Sequence, residues 1–436
     1  MNNFARHVAI RLVRGPWLPA FLATAATAAA AQPQLGSAAR PFPDTSERIM
    51  VYADQFPNQL TDAQLNFIAT HYAGGQKQTR SWVQRVRRIN PRFLMLHYQL
   101  AVGTGPATIV IGDQWTSDFA LVNKHEDWFL HDSAGHRLLE KQWGWNVMEI
   151  GFDADHPRSG FPHYWVDSAL SRMRENEDDG VFADSYTQDI LMMQVQPEGF
   201  PCFTDVPTCK TQWLPDLNAY GEFIRRHFQA EPERFYFLPN LGGLMTTWDN
   251  VTKFDVGDGG MVEGFASPGG GRSYAQDDWK LQMTRVLALA AEEKIVLCQT
   301  YIDPADANQR WFVVGSYLLS KGRHSFLNMF QKTSLEWYPE YELKLGAFDE
   351  PPQTDLTSYW LPEYKVFRRR FANGQVLVNP EAQPAEVQFN DPVRLLGAVG
   401  GGVFGVEKAW SGELTETRTR DVEVPPHSAR VVIYER

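Results

Sequence analysis

Gly180-Val-Phe-Ala-Asp184 is a run of small and apolar residues closed by one carboxylate, and it follows an acidic helical stretch, Arg174-Glu-Asn-Glu-Asp-Asp179. A short unbroken apolar run suits a strand buried on both faces of a parallel sheet, where a half-solvated strand would alternate. Comparable runs stand on either side of it: Ile49 to Gln55, Leu65 to Thr70, Phe93 to Tyr98, Arg234 to Pro239, Gly260 to Gly264, Ile295 to Thr300 and Ser325 to Met329. Between them, Thr79 to Ile89, Trp165 to Glu175, Leu214 to Gln229, Asp277 to Glu292 and Ala307 to Lys321 carry apolar residues at helical spacing. Eight strands alternating with helices predict an α/β fold, a (β/α)8 TIM barrel over residues 47–347. An open doubly wound sheet is the competing arrangement, but no glycine-rich phosphate fingerprint follows the first strand.

Two segments depart from this rhythm. Residues 101–163, rich in Trp, Gly, His and Asp, show no clear period and read as a long excursion over the barrel mouth. From about Phe348, turn signals such as Asn373-Gly374 and Asn379-Pro380 separate β-branched runs, so residues 361–436 read as a small antiparallel β-sandwich.

The N-terminus reads as an export signal over residues 1–31. Arg6, Arg11 and Arg14 form its positive end, an apolar stretch follows from Trp17, and Ala29-Ala-Ala31 offers the cleavage site. Residues 32–46 form a short leader, and the expected location is secreted or periplasmic. Removing three arginines and no acids moves the formal charge from -11 to -14. Such an acidic chain would repel nucleic acid and anionic membranes, so neither is expected as a partner. Cys202 and Cys209 flank a Pro-containing loop at a separation that a disulfide could close, whereas Cys298 sits in the apolar run IVLC as a buried thiol.

Catalytic groups of a β/α barrel project from the C-terminal ends of the strands. Asp184 and Glu263 each close a strongly apolar run there, on strands separated by one other. Two opposed carboxylates are what glycoside hydrolysis requires: one protonates the leaving oxygen and the other attacks the anomeric carbon or activates water. Asp184, in the polar turn Asp184-Ser-Tyr186, suits the nucleophile, and Glu263, between Val262 and Gly264-Phe265, suits the acid/base. Asp54, His97, Tyr98, Tyr186, Asn240, Gln299, Tyr301 and Asn328, at or near other strand ends, are candidate contacts to sugar hydroxyls. Trp143 and Trp145 of the excursion are candidate stacking platforms. No cofactor is needed for this chemistry, and no metal is expected, since Asp153 and Asp155 have only part of a calcium-loop spacing. A non-catalytic carbohydrate-binding barrel and a transglycosylase are the alternative functions, and all three take a carbohydrate partner.

The segments DGVFADSY, GGMVEGF and FRRRFANGQVLVNP resemble the group called hypothetical glycosyl hydrolase family 15, over a region from about Glu47 to the C-terminus. That group is more distantly similar to α-galactosidase-like and endo-α-polygalactosaminidase barrels. The resemblance implies a secreted barrel with a β-rich C-terminal domain, and by analogy a retaining mechanism on α-linked sugars. The α-galactosidase-like relatives carry aspartate at both strand ends, whereas this chain has Glu263 at the second.

Overall fold

The computed structural model describes residues 39–435 except 58, 106–108, 133, 141–143, 187–194, 197–205, 244–254, 331–333 and 407–409. Eight parallel strands dominate it: β1 (Val51–Ala53), β2 (Tyr72–Gln76), β3 (Leu94–Leu100), β4 (Gly180–Asp184), β5 (Tyr236–Pro239), β6 (Gly259–Glu263), β7 (Ile295–Tyr301) and β8 (Ser325–Phe330). Their order in the sheet is β5-β4-β3-β2-β1-β8-β7-β6, so chain order is kept around a ring. The ends of that order, β5 and β6, meet through the parallel bridge Asn240–Met261, and Leu241 N–H donates to Met261 O at 2.9 Å. The sheet is therefore a nearly closed barrel.

Helices α1 (Asp62–His71), α2 (Arg80–Ile89), α3 (Phe161–Asn176), α4 (Val206–Ala230), α5 (Gln276–Ala291) and α6 (Ala307–Ser320) lie in the connections. The second strand differs from the sequence expectation, because Leu65 to Thr70 belongs to α1. Leu65, Ile68 and Ala69 are buried at helical spacing. A capping box fixes the start: Gln64 N–H donates to Thr61 Oγ1 at 3.2 Å and Thr61 N–H to Gln64 Oε1 at 3.0 Å. The actual strand, YAGGQ, is masked by its glycines, which are poor strand formers. Glycine is needed at position 74, since a Cβ there would come within 2.5 Å of Leu94 O and 2.8 Å of the Tyr52 ring.

Alternation along each strand sorts the side chains. Leu94, Leu96, Phe182, Leu238, Met261, Leu297 and Phe326 form one buried cluster inside the barrel. Phe42, from the segment preceding β1, closes its lower end, with ring centroids 5.0 Å from Tyr236 and 5.5 Å from Phe326. Residues of the opposite parity, such as Met95, Val181, Phe237 and Val262, pack outward in the clusters shared with the helices.

The excursion after β3 is built of two-residue and three-residue strands packed against α3. Val102, Val122, Phe129, Leu138 and Met148 share an apolar cluster with Trp165, Val166 and Ala169. Arg172 of α3 anchors it by donating to Asp118 Oδ2 at 2.9 Å and to Gln99 Oε1 at 3.0 Å.

The C-terminal part, expected as a sandwich, is mainly one six-stranded antiparallel sheet among the described residues, with Gly402–Val403 paired instead to Glu336–Trp337 in a separate two-stranded sheet. The strands of the larger sheet are β9 (Trp360–Leu361), β10 (Val366–Phe371), β11 (Gly374–Asn379), β12 (Ala385–Gly400), β13 (Gly412–Val424) and β14 (Ser428–Tyr434), in the order β9-β10-β11-β14-β12-β13. Helix α6 packs on one face of this sheet. A Cβ on Gly315 would lie 2.2 Å from the Ala429 Cβ, and Val376 and Val378 share the apolar core with Val313 and Tyr317.

Candidate active site

The inward parity of β3 to β7 delivers five polar side chains to the C-terminal end of the barrel. Asp184 is the last residue of β4, Glu263 the last of β6, and Asn240 directly follows β5 between them. Asn240 Nδ2 donates to Asp184 Oδ1 at 2.9 Å and to Glu263 Oε2 at 2.7 Å. Those two oxygens are thus no farther apart than the two bonds end to end, about 5.6 Å. Tyr98 O–H, from β3, donates to Asp184 Oδ2 at 2.8 Å, and Ser185 N–H donates to Asp184 Oδ1 at 2.8 Å. Tyr301 O–H, from β7, donates to Glu263 Oε1 at 2.5 Å. Burial, and then the adjacent carboxylate, holds both phenols far above their ordinary pKa, so they act as donors.

A third acid, Asp54, follows β1 and is buried. Lys77 Nζ approaches its two oxygens at 2.9 and 3.1 Å, and Gln76 Nε2 also donates to it. The Lys77 ammonium lies 4.9 Å from the centroid of the Tyr98 ring. Burial alone would lower the Lys77 pKa, but the carboxylates of Asp54, Asp184 and Glu263 outweigh it and raise it above the usual lysine value. The sequence reading missed Lys77 because it placed the second strand too early; the polar pair Gln76-Lys77 at the end of YAGGQ was the available signal. Its backbone has φ of 64°, which turns the chain out of the strand at this point.

Other expected contacts fall in different places. Gln299 and Asn328 point inward below Tyr301: Gln299 Nε2 reaches Tyr301 Oη at 3.5 Å, and Asn328 Nδ2 donates to Gln299 Oε1 at 3.4 Å. His97 is adjacent to Tyr98 in one strand, so the two cannot share a face, and it is His97 that points outward. Its ring is buried, with Nδ1 3.8 Å from Asp178 Oδ2; burial, then nearby Arg172, lowers its pKa to about 3. It is a neutral core histidine. Tyr186 is also removed from the mouth, because the positive φ of Ser185 ends the strand alternation. Its ring is fully buried and its hydroxyl donates to Leu217 O at 2.7 Å. Trp145 is half-buried in the excursion, next to Gly103 and Gly105. Trp143 and the proposed Cys202–Cys209 disulfide lie outside the residues whose side chains are described, while Cys298 is a buried free thiol. Among the described residues, no group of three or more His, Cys, Asp or Glu side chains is placed to hold a metal, and no helix is long and apolar enough to cross a membrane.

The family described as hypothetical glycosyl hydrolase family 15 matches residues 87–375, which include Asp184, Asn240, Glu263 and both site tyrosines. The chain belongs to this family. No curated protein matches its sequence. Solved structures similar to this family member include the glycoside hydrolase domain of PelA from Pseudomonas aeruginosa, at 14% identity and a TM-score of 0.39, covering 64% of this chain and 94% of that one. A pullulanase from Bacillus acidopullulyticus is similar at 10% identity and a TM-score of 0.45, over 92% of this chain and 62% of the pullulanase. A β-porphyranase of glycoside hydrolase family 86 from Bacteroides plebeius is similar at 10% identity and a TM-score of 0.38, over 91% of this chain and 76% of that one.

Proposed function

We propose that this chain is an exported glycoside hydrolase acting on α-linked sugars of an extracellular polysaccharide or oligosaccharide, with retention of configuration. The observation that carries the reading is the bridging of Asp184 and Glu263 by the single Asn240 amide, at 2.9 and 2.7 Å. Retention uses carboxyl groups about 5 to 5.5 Å apart, whereas inversion needs about 6.5 to 9.5 Å to admit a water. The bridge favours the first. Export rests on the export signal read over residues 1–31, and the α-linkage on the likeness of the motifs to α-galactosidase-like barrels.

Asp184 accepts from Tyr98, Asn240 and the Ser185 amide, so its oxygens are held in fixed directions, as a nucleophile requires. Glu263 is the acid/base. In the first step Glu263 transfers its proton to the leaving glycosidic oxygen while that C–O bond breaks and an Asp184 oxygen bonds to the anomeric carbon. In the second, Glu263 removes a proton from water, the water oxygen bonds to the anomeric carbon, and the Asp184 ester bond breaks. Lys77 with Asp54 and Gln76 forms a polar wall suited to ring hydroxyls.

The test is an NMR assay of the first-formed anomer together with Asp184→Asn and Glu263→Gln. Retained configuration is expected. The Asp184 change should abolish turnover of every substrate, and the Glu263 change should spare glycosylation by substrates with activated leaving groups. An inverted product would refute the mechanism. Glycan binding without turnover by the unaltered chain, surviving the double change, would make the protein a carbohydrate-binding barrel.

A further inference from the structure

The opposite end of the barrel holds a cavity of about 710 Å³, inside the range of small-molecule sites, about 300 to 1,000 Å³. Ile49 and Met50 precede β1, Tyr72 and Ala73 open β2, Arg92 precedes β3, and all of them line it. The length of the strands therefore separates the cavity from Asp184 and Glu263. Phe42, Ile49, Met50, Trp337 and Leu343 supply the apolar part of its lining.

Four cations also line the cavity. Arg40 is engaged with Asp179 at 2.9 Å. Arg48, Arg92 and Lys344 are exposed and make no ion pair among the described residues. The single acid in the lining, Glu342, accepts from Trp337 Nε1 at 2.9 Å. Elsewhere on this acidic chain, exposed arginines such as Arg394 and Arg418 face a carboxylate, Glu416 and Glu435. Arg48, Arg92 and Lys344 outnumber the one carboxylate of the lining, Glu342, and a net positive cavity with part of its lining apolar favours a ligand with an apolar body and an anionic end. A bare inorganic anion would leave the apolar part wet.

We propose that this cavity binds a long-chain carboxylate, with its alkyl tail on the apolar part of the lining and its head among Arg48, Arg92 and Lys344. Burial of the tail supplies affinity in proportion to apolar area, and charge-assisted hydrogen bonds to guanidinium fix the head. This second site is independent of the glycosidase reading, and the failure of either leaves the other standing.

Calorimetric titration of the purified protein with laurate, below its micellar concentration, tests the assignment. Saturable binding of one laurate per chain is expected. It should weaken at least tenfold in the triple variant Arg48→Glu, Arg92→Glu, Lys344→Glu, with the circular dichroism spectrum unchanged. Dodecyltrimethylammonium, which has the same tail and the opposite charge, should bind at least tenfold more weakly than laurate to the unaltered protein. The proposal is overturned by absence of saturable laurate binding, by equal affinity for the cationic amphiphile, or by inorganic phosphate binding as tightly as laurate. Undiminished laurate binding in the triple variant would also overturn it. So would sedimentation showing a dimer formed across this cavity that laurate cannot enter, which would assign the face to a second copy of the chain.

Discussion

Lys321 follows α6 and is buried, and its ammonium donates to three carbonyls, those of Thr45 at 2.6 Å, Ser46 at 3.3 Å and Arg48 at 2.9 Å. Burial, then the nearby Arg369, lowers its pKa from 10.5 to about 7, with Asp44 opposing the change. At about 1.36 kcal/mol per pH unit, that interval amounts to about 5 kcal/mol of preference for the neutral amine in the native state. The unfolded chain keeps this proton up to about pH 10.5, whereas the native chain releases it near 7. Between those limits the unfolded state binds more protons, so stability climbs with pH; below about 7 both states are protonated and the native state bears the full cost. Lys321→Met removes this titration at a pH-independent cost from the three carbonyls that lose a donor. From pH 6.5 to 9, unfolding free energy measured in urea should rise by about 2.5 kcal/mol more in the unaltered protein than in the variant. Parallel pH profiles for the two proteins would refute the argument, because every other titrating group is common to both.

Three further outcomes are expected. Asn240→Ala deletes two hydrogen bonds to carboxylates, each worth about 1.5 to 3 kcal/mol, and kcat/KM should fall by about 100- to 10,000-fold with the circular dichroism spectrum unchanged; kinetics like those of the unaltered protein would remove Asn240 from the site. Tyr301→Phe deletes one such bond, to Glu263, and should lower kcat/KM about 10- to 100-fold while altering the limb of the pH–rate profile that reports the acid; a change in KM alone would contradict this. Gly74→Ala drives a Cβ against Leu94 O and the Tyr52 ring, and denaturant unfolding should show a loss of about 2 kcal/mol or more, whereas a neutral effect would mean that β2 and β3 can separate.

The chain belongs to a family described as hypothetical glycosyl hydrolases, and its barrel end presents two carboxylates that the proposed reaction would use. The excursion after β3 and the α6-backed C-terminal sheet add material that the β/α repeat does not specify. Neither replaces a barrel strand. The excursion is held by Arg172 to Asp118 and Gln99, close in sequence to Tyr98, so a change in its packing would reach the Tyr98 to Asp184 hydrogen bond through a single strand.

What the sequence by itself determined were properties of local pattern. Apolar runs such as Gly180 to Asp184 and Ile295 to Tyr301 are continuous because both faces of the strand are buried, so they can be read without knowledge of their neighbours. The carboxylates that close such runs, Asp184 and Glu263, were legible for the same reason. Tertiary structure decided everything that depends on direction or contact. His97 and Tyr98 are neighbours in sequence, and only the register of β3 against β4 sends one into the helix layer and the other to Asp184. The strand YAGGQ was hidden because its stability comes from close approach to Leu94 and Tyr52 rather than from its own propensity. Lys77 was hidden with it. The bridging of two acids by Asn240 requires three strand ends, remote in sequence, to meet at one point, and only the closed sheet brings them there.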